Sequence, residues 1–192
     1  GDCNVSLGWA NTENYICEEI FGCSAIDASL IFYSDSLECI NQCSIEWGGY
    51  RANSASYDLN LAYIYNKSVI DVMNIYEIYE EDWWSFPRPP LILEFSFENE
   101  NYFVINNHFK CCDGSEDRRE SASQLIQEYI NLFLPNDQVF IVGDLNDSIT
   151  DSELSNVFQN FLLDPSFLFT DIEIALGASS EWSYPSYPSH ID

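Results

Sequence analysis

Apolar and polar residues alternate with a two-residue period along the middle of the chain, the pattern of β-strands with one buried face. The alternation is clearest in residues 91–97 and 102–108, and the polar turn 98–101 between them predicts a hairpin. Residues 59–65 and 69–79 show the same period less regularly and predict two further strands. The middle of the chain is therefore expected to be rich in β-sheet.

A helical period marks residues 120–133, where apolar side chains recur on one face and Pro135 follows shortly after the last of them. This segment is the clearest predicted helix. The remaining segments predict, in chain order, a strand at 3–9, a helix at 15–21, a strand at 28–33, a helix at 37–47 closed by Gly48 and Gly49, a short helix at 156–163 and an unassigned apolar piece at 171–176.

One short apolar run is followed at once by polar residues. Residues 138–146 read Gln-Val-Phe-Ile-Val-Gly-Asp-Leu-Asn, which predicts a strand covered on both faces that stops at Gly143 and presents Asp144 and Asn146. Layered α/β proteins commonly place their chemistry at the carboxyl ends of such strands. Gly, Asp and Asn are also the common turn residues, so a plain turn is the alternative.

The charge of the chain limits its partners. Six Lys and Arg against 32 Asp and Glu leave a net charge of −26. That excludes a broad basic face for nucleic acid, because such faces bind by neutralising phosphates. It suits a solubilising shell, a salty medium or carboxylates around divalent cations. With 192 residues, 46% of them hydrophobic, a single domain over 1–192 is expected. No apolar run approaches the roughly 18 residues of a membrane span.

Cysteine usage favours an oxidising compartment, and we expect an extracellular or periplasmic protein with disulfides. A zinc site is the alternative, but no Cys-x-x-Cys pair is present and the two histidines are far apart. The count is odd, so at least one thiol is unpaired or paired between chains. The seven cysteines are Cys3, Cys17, Cys23, Cys39, Cys43, Cys111 and Cys112.

Three motifs occur in a specific order: Asn-Asn-His-Phe-Lys at 106–110, Gly-Asp-Leu-Asn at 143–146 and Ser-His-Ile-Asp at 189–192. From about residue 50 onward the chain resembles the endonuclease/exonuclease/phosphatase superfamily, which includes pancreatic deoxyribonuclease, and it looks closest to secreted bacterial members. The resemblance implies an α/β fold: a four-layered sandwich of two mostly antiparallel β-sheets flanked by helices.

The same resemblance implies a metal-dependent phosphodiester hydrolase in which water attacks in line. Mg²⁺ or Mn²⁺ would be the catalytic cofactor and Ca²⁺ a structural ion. The leading hypothesis is an extracellular endonuclease acting on DNA or RNA. The alternatives are a phosphatase or phospholipid diesterase of the same fold, and a catalytically silent module that binds a metal or another ligand.

Four catalytic residues are implied by matching the family's motifs. Asp144 would orient or deprotonate the attacking water, or protonate the leaving group. Asn146 would donate a hydrogen bond to a phosphate oxygen and stabilise transition-state charge. His108 would contact the phosphate or act as a general acid. Asp192 would orient the catalytic histidine.

Substrate binding is assigned to Arg88, which matches a phosphate-binding arginine of the family, and to Asn107 and Arg119. Arg88, Lys110, Arg118 and Arg119 lie near the motif positions. The aromatic segment that begins at Trp182 could stack bases or cover the edge of a core.

The metal ligands are assigned to Asn11, Asp35 and Glu38. The family's metal-binding glutamate falls on Asp35, whose side chain is one methylene shorter, and Glu38 is the nearest glutamate. The family also ends on a further strand with an Asp-His pair, and this chain is expected to be truncated before it. A missing strand would leave a sheet edge unpaired, which favours association.

Overall fold

The computed structural model describes residues 15–18, 22–25, 47–55, 59–112 and 114–182. The predicted site residues Asn11, Asp35, Glu38 and Asp192 lie outside these ranges, as do the predicted strands 3–9 and 28–33. The contacts divide the chain into two compact units, one of Gly1–Gly49 with Ile64–Asp71 and one of Tyr50–Tyr63 with Val72–Asp192.

The predicted helix at 15–21 is wrong where the structure describes it. Strands β1 (Tyr15–Glu18) and β2 (Gly22–Ala25) pair antiparallel, with Tyr15 opposite Ala25 and Cys17 opposite Cys23. A helix of seven residues is marginal because nucleation costs more than so few bonds return. Strand pairing satisfies the same kind of backbone groups between two short segments.

The predicted end of the helix 37–47 is also wrong. Strand β3 (Trp47–Arg51) includes both glycines expected to close that helix, and it pairs with β4 (Ala62–Asn66). The ring of Tyr65 lies against Gly48 so closely that a β-carbon there would overlap it. The glycine therefore serves close packing across two strands, which a local reading cannot distinguish from a helix end.

The largest sheet has four strands in the order β5, β6, β7, β8: Asp71–Glu77, Leu91–Phe97, Glu100–His108 and Gln138–Asp144. Strands β6 and β7 form the predicted hairpin, with Leu91 opposite Asn106. At its turn Glu98 and Asn99 have φ of 53° and 68°, as a tight hairpin turn requires. Strand β8 runs parallel to β7.

Helix α1 (Glu116–Phe133) connects the parallel strands β7 and β8 and packs on one face of the sheet. Ala122, Ile126 and Ile130, all on the predicted apolar face, are buried in the main core. The helix begins one turn earlier than predicted, because its first turn is polar and carries Glu116 and Asp117, which the positive end of the helix dipole favours. The core also contains Phe86, Ile92, Phe103, Ile105, Phe109 and Phe158.

The prediction that residues 138–146 contain a strand is confirmed by β8, but the expected burial on both faces is wrong. Phe140 is 51% exposed and Val142 is 41% exposed, whereas Val139 and Ile141 pack against the core. Strand β8 lies at one edge of the four-stranded sheet in the described part of the chain. Helix α1 covers only one face of the sheet there. Every second residue of the apolar run is therefore buried, and the others are exposed.

Two short helices complete the described segments: α2 (Gln159–Leu162), within the predicted helix 156–163, and α3 (Ile172–Ala175), within the unassigned piece 171–176. The predicted α/β class, with largely antiparallel β-sheets and flanking helices, is confirmed. Within the described ranges no helix combines the length and apolar character needed to cross a bilayer.

Candidate active site

His108 and Asp144 end two neighbouring parallel strands. They are the last residues of β7 and β8 and are register partners. Nε2 of His108 lies 3.6 Å from Oδ2 of Asp144, and the two side chains are 23% and 35% exposed. Because parallel strands end at the same edge of a sheet, two residues distant in sequence meet as one half-buried pair open to solvent.

Gly143 allows strands β7 and β8 to approach closely enough for His108 and Asp144 to lie side by side. Its φ is 120°, a region that L side chains rarely adopt, and a β-carbon there would overlap the carbonyl oxygen of Asn107. The two strands therefore approach closely just before His108 and Asp144. The glycine of Gly-Asp-Leu-Asn is required by backbone geometry as well as by the turn.

The loop after β8 is held by hydrogen bonds around Asp144. The backbone N–H of Asn146 donates to Oδ1 of Asp144 at 3.0 Å, and Nδ2 of Asn146 donates to the carbonyl of Phe109 at 3.2 Å. The N–H of Phe109 donates to the carbonyl of Asp144 at 2.9 Å. Asn146 has φ 54°, which asparagine tolerates better than most residues. Asp144 thus positions Asn146 with one oxygen and faces His108 with the other.

The pKa of His108 is lowered, first by burial and then by the positive charge of Arg88, while Asp144 opposes the shift. The imidazole is therefore neutral at neutral pH. A neutral imidazole can accept a proton at one nitrogen while it donates a hydrogen bond from the other. The role of His108 as a phosphate contact or general acid stays a prediction.

Arg119 joins the loops that follow β7 and β8. The side chain is 5% exposed, and its Nε donates to Oδ2 of Asp147 at 2.7 Å. Nη1 donates to the carbonyls of Lys110 at 2.9 Å and Cys112 at 3.2 Å, and Nη2 lies 3.3 Å from a carboxylate oxygen of Glu116. These contacts show how Arg119 positions the site, and its role in substrate binding stays a prediction.

Asp147 is the residue of the site that sequence reasoning missed. Its carboxylate is 11% exposed and is held by Arg119 and by the backbone N–H of Ser148 at 2.9 Å. The available signal was an acidic residue directly after Gly-Asp-Leu-Asn in a chain with an arginine early in the preceding helix. Only the folded structure shows that the two side chains meet.

Asn107 and Arg88 lie in different settings. Asn107 is 1% exposed on the core side of β7, where its Nδ2 donates to the carbonyls of Ile105 at 2.8 Å and Val142 at 3.5 Å. Its contact with substrate stays a prediction. Arg88 is partly exposed, and its charge adds to the effect of burial in lowering the pKa of His108. The pKa of the Cys111 thiol is lowered first by a hydrogen bond with Cys112 and to a smaller extent by Lys110 and Arg88.

The described residues do not form a metal site by themselves. No group of three or more His, Cys, Asp or Glu side chains suited to a metal occurs among them. The oxygens of Asp144 and Asn146 are ligands of the type that Mg²⁺ prefers, but Mg²⁺ takes six. The predicted ligands Asn11, Asp35 and Glu38 lie outside the described ranges, so the metal assignment stays a prediction.

Cys111 and Cys112 form no disulfide in the structure described.

Comparisons with known proteins gave structural similarity alone: no family model and no curated protein matches the chain. TDP2 from D. rerio in complex with a single-strand DNA product aligns with 63% of this chain and 46% of its own, at 16% identity and TM-score 0.46. The human Nocturnin catalytic domain with bound sulfate aligns over 60% and 47%, at 13% identity and TM-score 0.47.

An endonuclease/exonuclease/phosphatase from Bacteroides vulgatus aligns with 68% of this chain and 54% of its own, at 12% identity and TM-score 0.47. The chain thus spans about half the length of these structures.

Proposed function

We propose that this chain carries the catalytic centre of a divalent-metal-dependent phosphodiester hydrolase of the endonuclease/exonuclease/phosphatase type, with nucleic acid as its substrate. The observation that carries the proposal is the pairing of His108 with Asp144, 3.6 Å apart at the ends of adjacent parallel strands. Asn146 is held beside them by hydrogen bonds to Asp144 and to the carbonyl of Phe109, and it completes the motif on which the resemblance rests.

Each side chain has a role in an in-line attack of water on phosphorus. Oδ2 of Asp144 is the acceptor that orients the attacking water or takes its proton. The neutral imidazole of His108 accepts a proton or holds a phosphate oxygen. Arg88 supplies positive charge that reaches His108, and the amide of Asn146 stabilises charge that develops on the phosphate.

A divalent ion would neutralise phosphate charge and activate the water. Asp144 and Asn146 offer oxygen ligands to it, and the assignment of Asn11, Asp35 and Glu38 as metal ligands stays a prediction of the family resemblance. Such an ion would also reduce the repulsion between protein and substrate, because a chain of net charge −26 repels a polyanion unless cations lie between them. A secreted or periplasmic location belongs to this proposal because seven cysteines suit an oxidising compartment.

Cleavage of fluorescent single-stranded DNA and of supercoiled plasmid tests the proposal, with Mg²⁺, Mn²⁺ or Ca²⁺ and with EDTA. We expect metal-dependent cleavage that Asp144→Ala abolishes. Asp137→Ala is the matched control, because Asp137 is exposed in the turn before β8.

Turnover of small phosphate monoesters or phospholipids without cleavage of DNA or RNA would overturn the nuclease assignment in favour of another phosphoester substrate. Metal binding without turnover of any of these substrates would overturn the hydrolase itself in favour of a silent binding module.

A further inference from the structure

Two consecutive tryptophans lie at the surface in the loop between β5 and β6. Trp83 is 66% exposed and Trp84 is 44% exposed. Leaving two indole rings in water forgoes about 1.5–3 kcal/mol of burial for each large apolar side chain. Adjacent exposed rings of this size mark a surface that binds something.

Arg118 holds this pair in place. Its Nη2 donates to the carbonyl of Trp83 at 3.1 Å and its Nε donates to the carbonyl of Trp84. The guanidinium carbon lies 5.8 Å from the centroid of the Trp84 ring, within cation–π range. The Ser85 and Ser121 hydroxyls, 3.1 Å apart, tie the loop to helix α1 as well. The backbone of both tryptophans and the ring of Trp84 are therefore pre-organised, which lowers the entropic cost of binding.

The pair lies near the active site. Phe86, two residues after Trp84, packs on Phe109, which follows His108, with ring centroids 6.2 Å apart. Arg88 lies four residues after Trp84, and an extended chain advances ~3.3–3.6 Å per residue, so their Cα atoms are separated by at most ~14 Å. The loop that carries the indoles therefore packs beside the residue that follows His108.

Most positive charges of the chain lie in one stretch of the sequence, and Arg119 among them is buried and paired with Asp147. Of six Lys and Arg residues, four lie between positions 88 and 119: Arg88, Lys110, Arg118 and Arg119. A cation in the first turn of a helix opposes the helix dipole, so Arg118 is not placed there for helix stability. A positive charge beside exposed aromatic rings suits a ligand with an anionic backbone and planar aromatic bases.

We propose that Trp83, Trp84 and Arg118 form a stacking platform for an unpaired base of single-stranded nucleic acid, next to the phosphodiesterase centre. The inference rests on the proposed function and names its substrate class. Bases of a duplex are already stacked inside it, so only a single strand can offer one to the indoles. A membrane surface offers no bases for the indoles to stack on, and the vesicle experiment below tests it as the alternative.

Fluorescence anisotropy with an eight-nucleotide thymidine oligomer and an abasic oligomer of equal length tests the platform. The Asp144→Ala variant is used as background with Mg²⁺, so that turnover does not interfere. We expect the oligomer with bases to bind more tightly. Trp84→Ala is expected to weaken its binding by about 5- to 150-fold, as loss of one stacked base predicts, and to leave abasic binding unchanged.

Trp84→Phe should restore much of the affinity, because a phenyl ring still stacks. Trp182→Ala is the control: its indole N–H donates to the carbonyl of Ile174 at 3.0 Å, and affinity should not change. The melting temperature of each variant confirms that it is folded.

The platform and the enzyme fail in different ways. Equal affinity for both oligomers, or loss of affinity in Trp182→Ala but not Trp84→Ala, overturns the platform even where the wild type hydrolyses a small phosphodiester. Base-dependent binding without hydrolysis of any diester supports the platform and overturns the proposed enzyme. If binding to phosphatidylserine vesicles depends on the tryptophans and the oligomers show no preference for bases, the stacking platform is overturned in favour of a membrane-binding surface.

Discussion

Arg119 and Asp147 form a buried ion pair, Nε to Oδ2 at 2.7 Å, between helix α1 and the loop after β8. The same guanidinium holds the carbonyls of Lys110 and Cys112, so one side chain fastens both loops that carry the candidate site. The main contribution of the pair is to hold the two loops in place, because a buried ion pair is only weak evidence of net stabilisation.

Removing one partner of this pair should destabilise the protein. Asp147→Ala leaves the buried guanidinium of Arg119 with only the more exposed carboxylate of Glu116, and the free energy of unfolding should fall by about 3–5 kcal/mol. Urea denaturation of Asp147→Ala, Arg119→Ala and the double variant measures the coupling. The double variant should lose much less than the sum of the single losses; additive losses would show that the pair does not act as a unit.

Gly143→Ala should be strongly destabilising. The new β-carbon meets the Asn107 carbonyl and the backbone has a φ of 120°, so strain and overlap together should cost about 2–5 kcal/mol. Gly114→Ala is the matched control, because Gly114 also has positive φ but nothing lies within 4 Å of its added β-carbon. Equal losses in the two variants would show that the close approach of β7 and β8 is unimportant.

The Tyr63 hydroxyl links β4 to the four-stranded sheet, and burial raises its pKa above the ordinary value. It lies 2.8 Å from the carbonyls of both Leu91 and Val104 and accepts from the N–H of Asn106 at 3.1 Å. Tyr63→Phe removes these partly buried hydrogen bonds, so chemical denaturation should show a loss of about 1–3 kcal/mol. Tyr50→Phe, at an exposed position, is the control and should change little.

Acidification should weaken the fold through His108. Its pKa is lower in the folded protein than in the unfolded chain, so between the two values the unfolded state binds more protons. The His108 contribution is therefore fully present above the unfolded pKa of ~6.5 and declines as the pH falls toward the folded value. The melting temperature should fall more from pH 7.5 to 5.5 in the wild type than in His108→Gln. An identical fall in both would contradict the shift.

Local pattern was sufficient for the hairpin of β6 and β7 and for most of helix α1. In each, side-chain period, turn residues and burial agree, because the helix and hairpin close their hydrogen bonds within one short stretch of chain. The motif residues His108, Asp144 and Asn146 were also found from sequence alone, although only the parallel pairing of β7 with β8 shows that His108 and Asp144 lie side by side.

Tertiary packing decided the rest. Gly48 marks a helix end by residue type alone, yet the Tyr65 ring packed on it makes it part of a strand. Phe140 and Val142 belong to an apolar run, but their exposure depends on which face helix α1 covers. Arg119 and Asp147 are 28 residues apart, and no local period links them. The sequence alone therefore predicted the hairpin, most of helix α1 and the motif residues, while the tertiary structure determined which groups meet, because contacts between distant segments form only when the sheet assembles.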